Sequence, residues 1–186
     1  APYPVSLTFD SKPTLAVGGE LKNTFCLTRD RYAFLSQHIG DMENAEVYEA
    51  FEQSVEHLSR LFRVQPEIIA YDLHPGYFTT NYALRTLAPN ANAGVTNYKL
   101  RIPVQHHHAH IASCMADNKL TDRTLIGLAF DGTGYGTDGA IWGGEVLLAS
   151  YADFERIAHL EYLPLPGADA ATRNPWRIAV GYAESL

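Results

Sequence analysis

Residues 104–112 constrain the fold of this chain most, because an apolar strand runs there directly into a helix that carries clustered histidines. Four of the eight histidines lie within positions 106–110. On one face of a helix, the Cβ atoms of His106 and His110 would be roughly 5–6 Å apart. Two such imidazoles could meet at one zinc or iron ion, with one or two further ligands from elsewhere. Solvated or core histidines explain the cluster equally well.

A second landmark is the glycine-rich run that follows the apolar strand 124–130. The strand ends at Asp131 and passes into Gly132, Thr133 and Gly134. Glycine permits close backbone approach, and successive N–H groups can form an anion-binding concavity. The Asp131 carboxylate could ligate a metal or help to hold a magnesium–phosphate group. Taken alone, the run favours an ordinary hairpin followed by a strand at 140–150.

The remaining elements alternate between strands and helices, which predicts an α/β fold. The turn Gly18-Gly19 joins short strands at 15–17 and 23–27 in an edge hairpin, and Asn44 is a plausible cap for the helix that follows. Asn174-Pro175 marks a fresh helix start after a proline-rich linker. Other predicted elements are strands at 68–71, 100–104 and 156–162 and a helix at 81–87.

Composition excludes several classes of protein. The net charge of −7 argues against a general nucleic-acid binder, because no basic patch offsets phosphate repulsion. Cys26 and Cys114 are far apart and form no CxxC motif, so no disulfide framework is implied. No apolar run approaches ~18 residues and no signal peptide opens the chain. We therefore expect a soluble, cytoplasmic protein that binds neither DNA nor membranes.

Together these segments resemble the HypF family of hydrogenase-maturation carbamoyltransferases, in the N-terminal half of its TsaD-like domain. The resemblance runs from about Tyr3 to Leu186 and is carried by LAVGGELKNTF (15–25), YDLHPGY (71–77), VQHHHAH (104–110), FDGTGYG (130–136) and WGGE (142–145). It implies a fold of the actin-like, sugar-kinase and Hsp70 (ASKHA) type, with a mixed sheet and flanking helices. Residues 1–186 would be the N-terminal lobe of an incomplete two-lobe domain, with a truncated second lobe beginning near residue 174.

The resemblance also implies an activity. Proteins of this kind make carbamoyl-adenylate from carbamoyl phosphate and ATP, then transfer the carbamoyl group to the C-terminal cysteine of a HypE-type partner. The product leads to the cyanide ligand of [NiFe]-hydrogenase. We expect residues 1–186 alone to be inactive. The alternatives are TsaD-like threonylcarbamoyl transfer to tRNA and a non-catalytic nucleotide-binding lobe. A metal-dependent hydrolase is less favoured, because the chain has no HExxH motif.

By the same resemblance, His106, His110 and Asp131 hold a divalent metal, zinc or iron, and a further carboxylate comes from outside the chain. Lys22 is expected to neutralise charge on the leaving phosphate, although a solvated turn residue is equally compatible. Asp72 and His74 end a buried strand and are expected to position substrate, with turn capping by Asp72 as the alternative.

The expected binding site for ATP or carbamoyl-adenylate, with magnesium, draws on three segments. Backbone donors of the glycine-rich segments would face phosphate, and the first hairpin would approach the phosphates. The residues are Gly19, Asn23, Gly132, Thr133, Gly134, Gly143, Gly144 and Glu145. His107 and His108 are expected to support the site or lie at the surface. His108 stands where TsaD relatives carry a glutamate, so no acid–base role is assigned to this position.

Overall fold

A computed structural model describes residues 3–85, 98–167 and 169–185. Within them the chain forms a four-stranded sheet, a three-stranded sheet and a two-stranded ribbon. The strands are β1 (Val5–Ala16), β2 (Cys26–Leu35), β3 (Ile68–Asp72), β4 (Leu100–Val104), β5 (Leu125–Ala129), β6 (Gly134–Tyr135), β7 (Ile141–Trp142), β8 (Glu145–Ala149) and β9 (Phe154–His159). The helices are α1 (Ala45–Phe62), α2 (Phe78–Arg85), α3 (His106–Asp117), α4 (Asp169–Arg173) and α5 (Pro175–Ser185).

The first sheet has the order β2-β1-β3-β4. The strands β1 and β2 form an antiparallel hairpin, whereas β3 lies parallel to both β1 and β4. The helix α1 begins after Asn44, whose side chain accepts hydrogen bonds from two backbone N–H groups of the first turn. The buried face of α1 packs Phe51 edge-on against Phe25, with ring centroids 5.7 Å apart. Leu15 and Ile69 of the sheet are fully buried in the same core.

The second sheet is antiparallel, has the order β5-β8-β9 and packs against α3. Ile111 and Met115 of α3 meet Leu147 of β8 in a second core. A Cβ at Gly127 would lie 2.3 Å from the Cδ1 atom of Ile111, so glycine allows α3 to lie close on β5. The helix thus leaves the first sheet through β4 and covers one face of the second.

The predicted alternation of strands and helices is confirmed, and so are the starts of α1 and α5 and the strand β4. The first hairpin is longer than predicted, because β1 begins at Val5 and β2 runs from Cys26 to Leu35. Its register shifts twice between Ser6 and Thr14, which obscures the alternating pattern in the sequence. Asn23 therefore lies in the connection and not in a strand.

Three other boundaries differ from the predictions. The strand predicted at 140–150 is divided into β7 and β8, because Gly143 and Gly144 turn the chain between them. The strand predicted at 156–162 lies earlier, at β9, and the short helix α4 had no recognisable signal. The helix predicted at 81–87 begins at Phe78, and its last two positions lie outside the described residues. No helix in the described part of the chain is long and apolar enough to span a membrane.

Candidate metal centre

The candidate site lies at the start of α3, between the two sheets. Gln105 is the N-cap of this helix: its Oε1 accepts a hydrogen bond from the N–H of His108 at 2.9 Å. Its Nε2 donates to the carbonyl of Tyr135 at 3.3 Å. This buried side chain therefore ties the helix start to the loop that follows β5. Gln105 was not among the predicted site residues, and the one signal for it was its place between a strand and a helix.

Three predicted ligands converge at this point. The Nε2 atoms of His106 and His110 lie 2.7 and 3.1 Å from Oδ2 of Asp131, and 3.1 Å from each other. The three donor atoms all lie within 4.8 Å of one another. One carboxylate and two imidazoles form a donor set that suits zinc or iron. The arrangement fits the predicted metal, and metal binding itself stays a prediction.

The environment of the three ligands is asymmetric. The side chain of His106 is 21% exposed, whereas those of Asp131 and His110 are 42% and 55% exposed. Burial raises the pKa of the Asp131 carboxyl, but hydrogen bonds from His106 and His110 outweigh burial and leave the pKa below its ordinary value. The site is thus closed behind His106 and open to solvent on the side of His110. An open side is what a bound substrate would need.

Asp72 closes the site behind His106. Its Oδ2 lies 2.7 Å from Nδ1 of His106, and its Oδ1 accepts a hydrogen bond from the N–H of His74 at 2.8 Å. The bond to Asp72 is the main cause that raises the pKa of His106, against the opposing effect of burial, and Asp131 adds to it. Asp72 therefore caps the turn after β3 and also contacts His106. The turn cap was one of the two predicted roles of Asp72, whereas its contact with His106 was not predicted.

His74 lies beside the site and not among the converging donors. Its ring stacks on Tyr77 with centroids 4.1 Å apart and meets Tyr135 edge-on at 5.5 Å. Its Nδ1 accepts a hydrogen bond from the N–H of Gly76 at 3.2 Å. The histidine thus connects the turn after β3 with the glycine-rich loop. Its role in positioning substrate stays a prediction.

The neighbouring histidine His107 is fully buried. Its Nε2 lies 3.3 Å from the backbone carbonyl of Asp131, and its Nδ1 lies 3.3 Å from Nε2 of Gln105. Burial lowers the pKa of His107, which favours a neutral ring that donates to the carbonyl and accepts from the amide. A Cβ at Gly134 would lie 2.4 Å from Cε1 of His107, so glycine is needed there. His107 thereby supports the backbone of a predicted ligand.

His108 is also buried and lies on a different face of α3. Its Nε2 is 2.8 Å from the carbonyl of Ser150, which can only accept a hydrogen bond. Its ring packs near Phe154, with centroids 4.9 Å apart. These contacts attach α3 to the second sheet, so His108 supports the helix and does not lie at the surface.

The glycine-rich loop is most open next to Asp131. Gly132 and Thr133 are exposed, and a Cβ built at Gly132 would meet nothing within 4 Å. The turn at Gly143 lies against this segment, since a Cβ there would be 3.2 Å from the carbonyl oxygen of Gly132. The structure therefore brings two predicted nucleotide-binding segments together beside the converging donors. Nucleotide binding at this place stays a prediction.

The Gly143-Gly144 turn differs from the expected phosphate-facing arrangement. The N–H groups of Gly143 and Gly144 donate to Oε1 of Glu145 at 3.0 and 3.3 Å. The Nε atom of Arg156 donates to Oε2 of Glu145 at 2.6 Å. Burial raises the pKa of Glu145, but the hydrogen bonds from Arg156 and from the two N–H groups outweigh burial and leave the pKa below its ordinary value. Because Glu145 is 1% exposed, its carboxylate and both donors serve the internal structure of the loop.

The first hairpin reaches the site through Gly19. A Cβ at Gly19 would lie 3.9 Å from Cε1 of His106. Asn23 is buried, and its Nδ2 donates to the carbonyls of Gly19 and Val17 at 2.7 and 2.8 Å. Asn23 thus shapes the connection from inside. Lys22 has an exposed side chain and a positive φ of 51°, and its N–H donates to Asp41 at 3.0 Å.

Comparison with known proteins gives consistent matches. Residues 9–117 match the sequence model of the HypF Kae1-like domain, and residues 127–186 match that of the second subdomain of the carbamoyltransferase Kae1-like domain. The boundary between the two models coincides with the passage from α3 to β5. The predicted start of a second lobe near residue 174 stays a prediction.

Among curated proteins, the chain is similar to Carbamoyltransferase HypF2 of Cupriavidus necator, with 46% identity over all of this chain and 22% of that protein. It is 44% identical to Carbamoyltransferase HypF of Rhizobium leguminosarum bv. viciae over 96% of this chain and 22% of that protein. The chain thus spans about a fifth of the length of these relatives.

Two solved structures are similar to this one. The first is full-length HypF in a phosphate- and nucleotide-bound form, with 48% identity and a TM-score of 0.85 over 98% of this chain and 23% of that one. The second is HypF of T. kodakarensis, with 43% identity and a TM-score of 0.84 over 97% of this chain and 22% of that one. The α/β fold of Kae1-like type is thereby confirmed.

Proposed function

This chain belongs to the HypF family through its Kae1-like domain, and from that premise we propose that the protein is a HypF-type carbamoyltransferase. The observation that carries the proposal is the convergence of His106, His110 and Asp131 beside an open glycine-rich loop. The relatives named as carbamoyltransferases are several times longer than this chain. The activity is therefore proposed for the protein in which these residues operate with further segments.

In the proposed reaction, the carbamoyl group passes from carbamoyl-adenylate to the C-terminal cysteine of a HypE-type protein. The thiolate sulfur attacks the carbamoyl carbon, a C–S bond forms, and the C–O bond of the mixed anhydride breaks as AMP leaves. The thiol proton passes to solvent. Carbamoyl phosphate and ATP supply the adenylate, and the product serves cyanide-ligand synthesis in [NiFe]-hydrogenase maturation.

We assign binding of a divalent metal, zinc or iron, to His106, His110 and Asp131. When bound, such a metal supplies a Lewis acid for the carbamoyl oxygen. The exposed side chain of His110 leaves access from solvent, whereas the contacts of His106 with two carboxylates hold its ring in place. Substrate thus approaches from the side of His110.

The adenylate is assigned to the open backbone beside Asp131. Gly132 and Thr133 are exposed there, and a Cβ at Gly132 would meet nothing within 4 Å, so a phosphate has room to approach the backbone at this position. Magnesium would accompany the phosphates. Gly134 belongs to the same loop and makes room for His107. This loop is supported by the neighbouring turn of Gly143, Gly144 and Glu145, which packs against Gly132.

The connection within the first hairpin contributes a backbone contact to His106 and a positively charged side chain. Gly19 lies next to the ring of His106, and Asn23 holds the Gly19 carbonyl. Lys22 lies in the same connection with an exposed ammonium group. A flexible ammonium can neutralise charge on a leaving phosphate. His74, stacked on Tyr77, is assigned to the rim of the substrate site.

The test uses the complete protein, preformed carbamoyl-adenylate and a HypE-type partner. The mass of the partner's C-terminal cysteine is followed for wild type and for the double variant His106→Ala/His110→Ala. We expect the modification to disappear in the double variant. The matched control replaces two exposed histidines, His38→Ala/His57→Ala, and should retain the modification. Unchanged modification in the first variant would contradict the proposal.

A second measurement separates transfer from a merely nucleotide-regulated lobe. Mass spectrometry identifies the nucleotide that the purified protein retains. Carbamoyl-adenylate or AMP supports transfer, whereas retained ADP with no dependence on a carbamoyl donor would contradict it. The net charge of −7 already disfavours tRNA as the acceptor.

A further inference from the structure

Asp72 contacts the candidate metal centre through His106, the least exposed of its three ligands. Its Oδ2 lies 2.7 Å from Nδ1 of His106, while Nε2 of the same ring faces Asp131 at 2.7 Å. We propose that Asp72 is a positioning residue that holds the hydrogen on Nδ1 and thereby fixes Nε2 as the ligand atom of His106. The inference rests on the metal site proposed above.

The chemistry of imidazole explains why such a residue is needed. Either ring nitrogen can bind a metal, and the hydrogen bond made by one nitrogen decides which of them does so. Both ring nitrogens of His106 face a carboxylate, which is an acceptor only. A metal held by Asp131 and His110 would take the place of a hydrogen on Nε2, so Nδ1, which faces Asp72, must carry the hydrogen of the neutral ring. The other nitrogen then points towards the donors of His110 and Asp131, where all three atoms converge.

Asp72 is itself held rigidly. Its side chain is 7% exposed, and its second oxygen accepts a hydrogen bond from the N–H of His74 at 2.8 Å. The hydroxyl of Thr80, which is buried, donates to the backbone carbonyl of Asp72 at 2.9 Å. The residue also ends β3, a strand that is paired on both sides, with Asp72 opposite Val104 of β4. The carboxylate is therefore presented from a fixed point of the first sheet.

The two histidines differ in this respect. Within the described residues, His106 has a carboxylate behind its ring, whereas the hydrogen bonds of the His110 ring all involve Nε2. His110 is also the more exposed ligand. We infer that His106 is the anchored ligand and that His110 adapts to it.

The test measures the affinity of the protein for Zn²⁺ by competition with a chromophoric chelator. Loss of a carboxylate that orients a ligating histidine typically lowers metal affinity by about 10–100-fold. We expect Asp72→Asn to fall near the lower end of that range, because the amide keeps an oxygen for Nδ1–H. Asp72→Ala should fall near the upper end.

A control variant separates this role from a general effect on the strand. Glu67→Gln neutralises an exposed acid just before the other end of β3, where it pairs with Lys99 at 3.0 Å. This control should bind Zn²⁺ as wild type does. An Asp72→Asn protein with wild-type Zn²⁺ affinity would overturn the inference and leave Asp72 as a turn cap.

A second measurement needs no variant. Long-range ¹H–¹⁵N spectra of the zinc-loaded wild type should show hydrogen on Nδ1 of His106 and metal at Nε2. The reverse assignment would overturn the inference even if every Asp72 variant failed to fold. If the wild type bound no Zn²⁺ at all, both the proposed metal site and this inference would be wrong. Wild-type binding with unaffected Asp72 variants would instead overturn this inference alone.

Discussion

The two sheets of this chain are covered to different extents. The helix α1 packs on the first sheet, and the core between them includes Phe25 and Phe51, which are 1% and 0% exposed. The second sheet is covered by α3 on one face, whereas Ile126, Leu128 and Phe130 on and beside β5 are 65%, 61% and 70% exposed. Most of the apolar burial that stabilises the chain therefore lies in the first region.

The candidate site depends on both regions nevertheless. His106 contacts Asp72, at the end of β3 in the first sheet, and Asp131, just after β5 of the second. Stability therefore depends mainly on the first region, whereas the geometry of the site depends on both. The predictions below test this difference between the two regions.

The largest expected effect on stability lies in the first core. Phe51→Ala should lower the free energy of unfolding by about 3–5 kcal/mol, because it removes a fully buried ring and leaves a cavity. Leu128→Ala on the exposed face of β5 should change it by no more than about 0.5 kcal/mol. Urea unfolding of both variants measures the difference. Equal losses would mean that the two regions are covered to the same extent.

The main polar contribution to the second region should come from the Glu145–Arg156 pair. Glu145→Gln should cost about 3 kcal/mol at neutral pH, because it removes the nearer and more buried carboxylate partner of Arg156, at 2.6 Å, and leaves only Asp138 at 3.3 Å. The hydrogen bonds outweigh burial, so the pKa of Glu145 lies below its ordinary value of 4.5.

The sign of the pH dependence follows from that lowered pKa. The contribution of Glu145 is present above its unfolded-state pKa and is lost as the pH falls through its folded-state pKa. The stability curves of wild type and Glu145→Gln should therefore converge as the pH is lowered through the acid range. Urea midpoints across that range measure this. A constant gap would show that the carboxylate charge is not the cause.

A matched pair of glycines tests the loop beside the site. Gly134→Ala should cost about 1–3 kcal/mol and reduce Zn²⁺ affinity, because its Cβ would lie 2.4 Å from Cε1 of the buried His107. Gly132→Ala has open space around its Cβ and should leave stability and Zn²⁺ affinity close to wild type. Urea unfolding and chelator competition test both variants. Similar effects of the two substitutions would contradict the conclusion that His107 supports the backbone of Asp131.

The smallest expected effect is a difference between the labelling rates of two cysteines, and its measurement needs no substitution. Cys26 begins β2 in the first sheet, and burial raises the pKa of its thiol to about 11, so little thiolate forms at mildly alkaline pH. Cys114 lies exposed on α3. Iodoacetamide should label Cys114 before Cys26, as followed by mass spectrometry. Equal labelling rates would show that the first sheet opens as readily as the second region.

Several features of this protein followed from the sequence alone, because each depends on local geometry. The spacing of His106 and His110 places them together on any helix, and Asn44 and Pro175 mark helix starts through backbone effects within one turn. The apolar run that stops at Asp131 predicted a polar group at a strand end. In the structure, the side chains of His106, His110 and Asp131 converge at one point.

Other features could be decided only by the tertiary structure. Asp72 and His106 are 34 positions apart and meet because β3 and β4 are parallel neighbours, an order that no local pattern specifies. The Gly143 and Gly144 donors bind Glu145 because Arg156 of another strand holds that carboxylate. Helical spacing and capping are properties of a few consecutive residues, whereas the order of strands and the pairing of buried charges depend on how the whole chain packs.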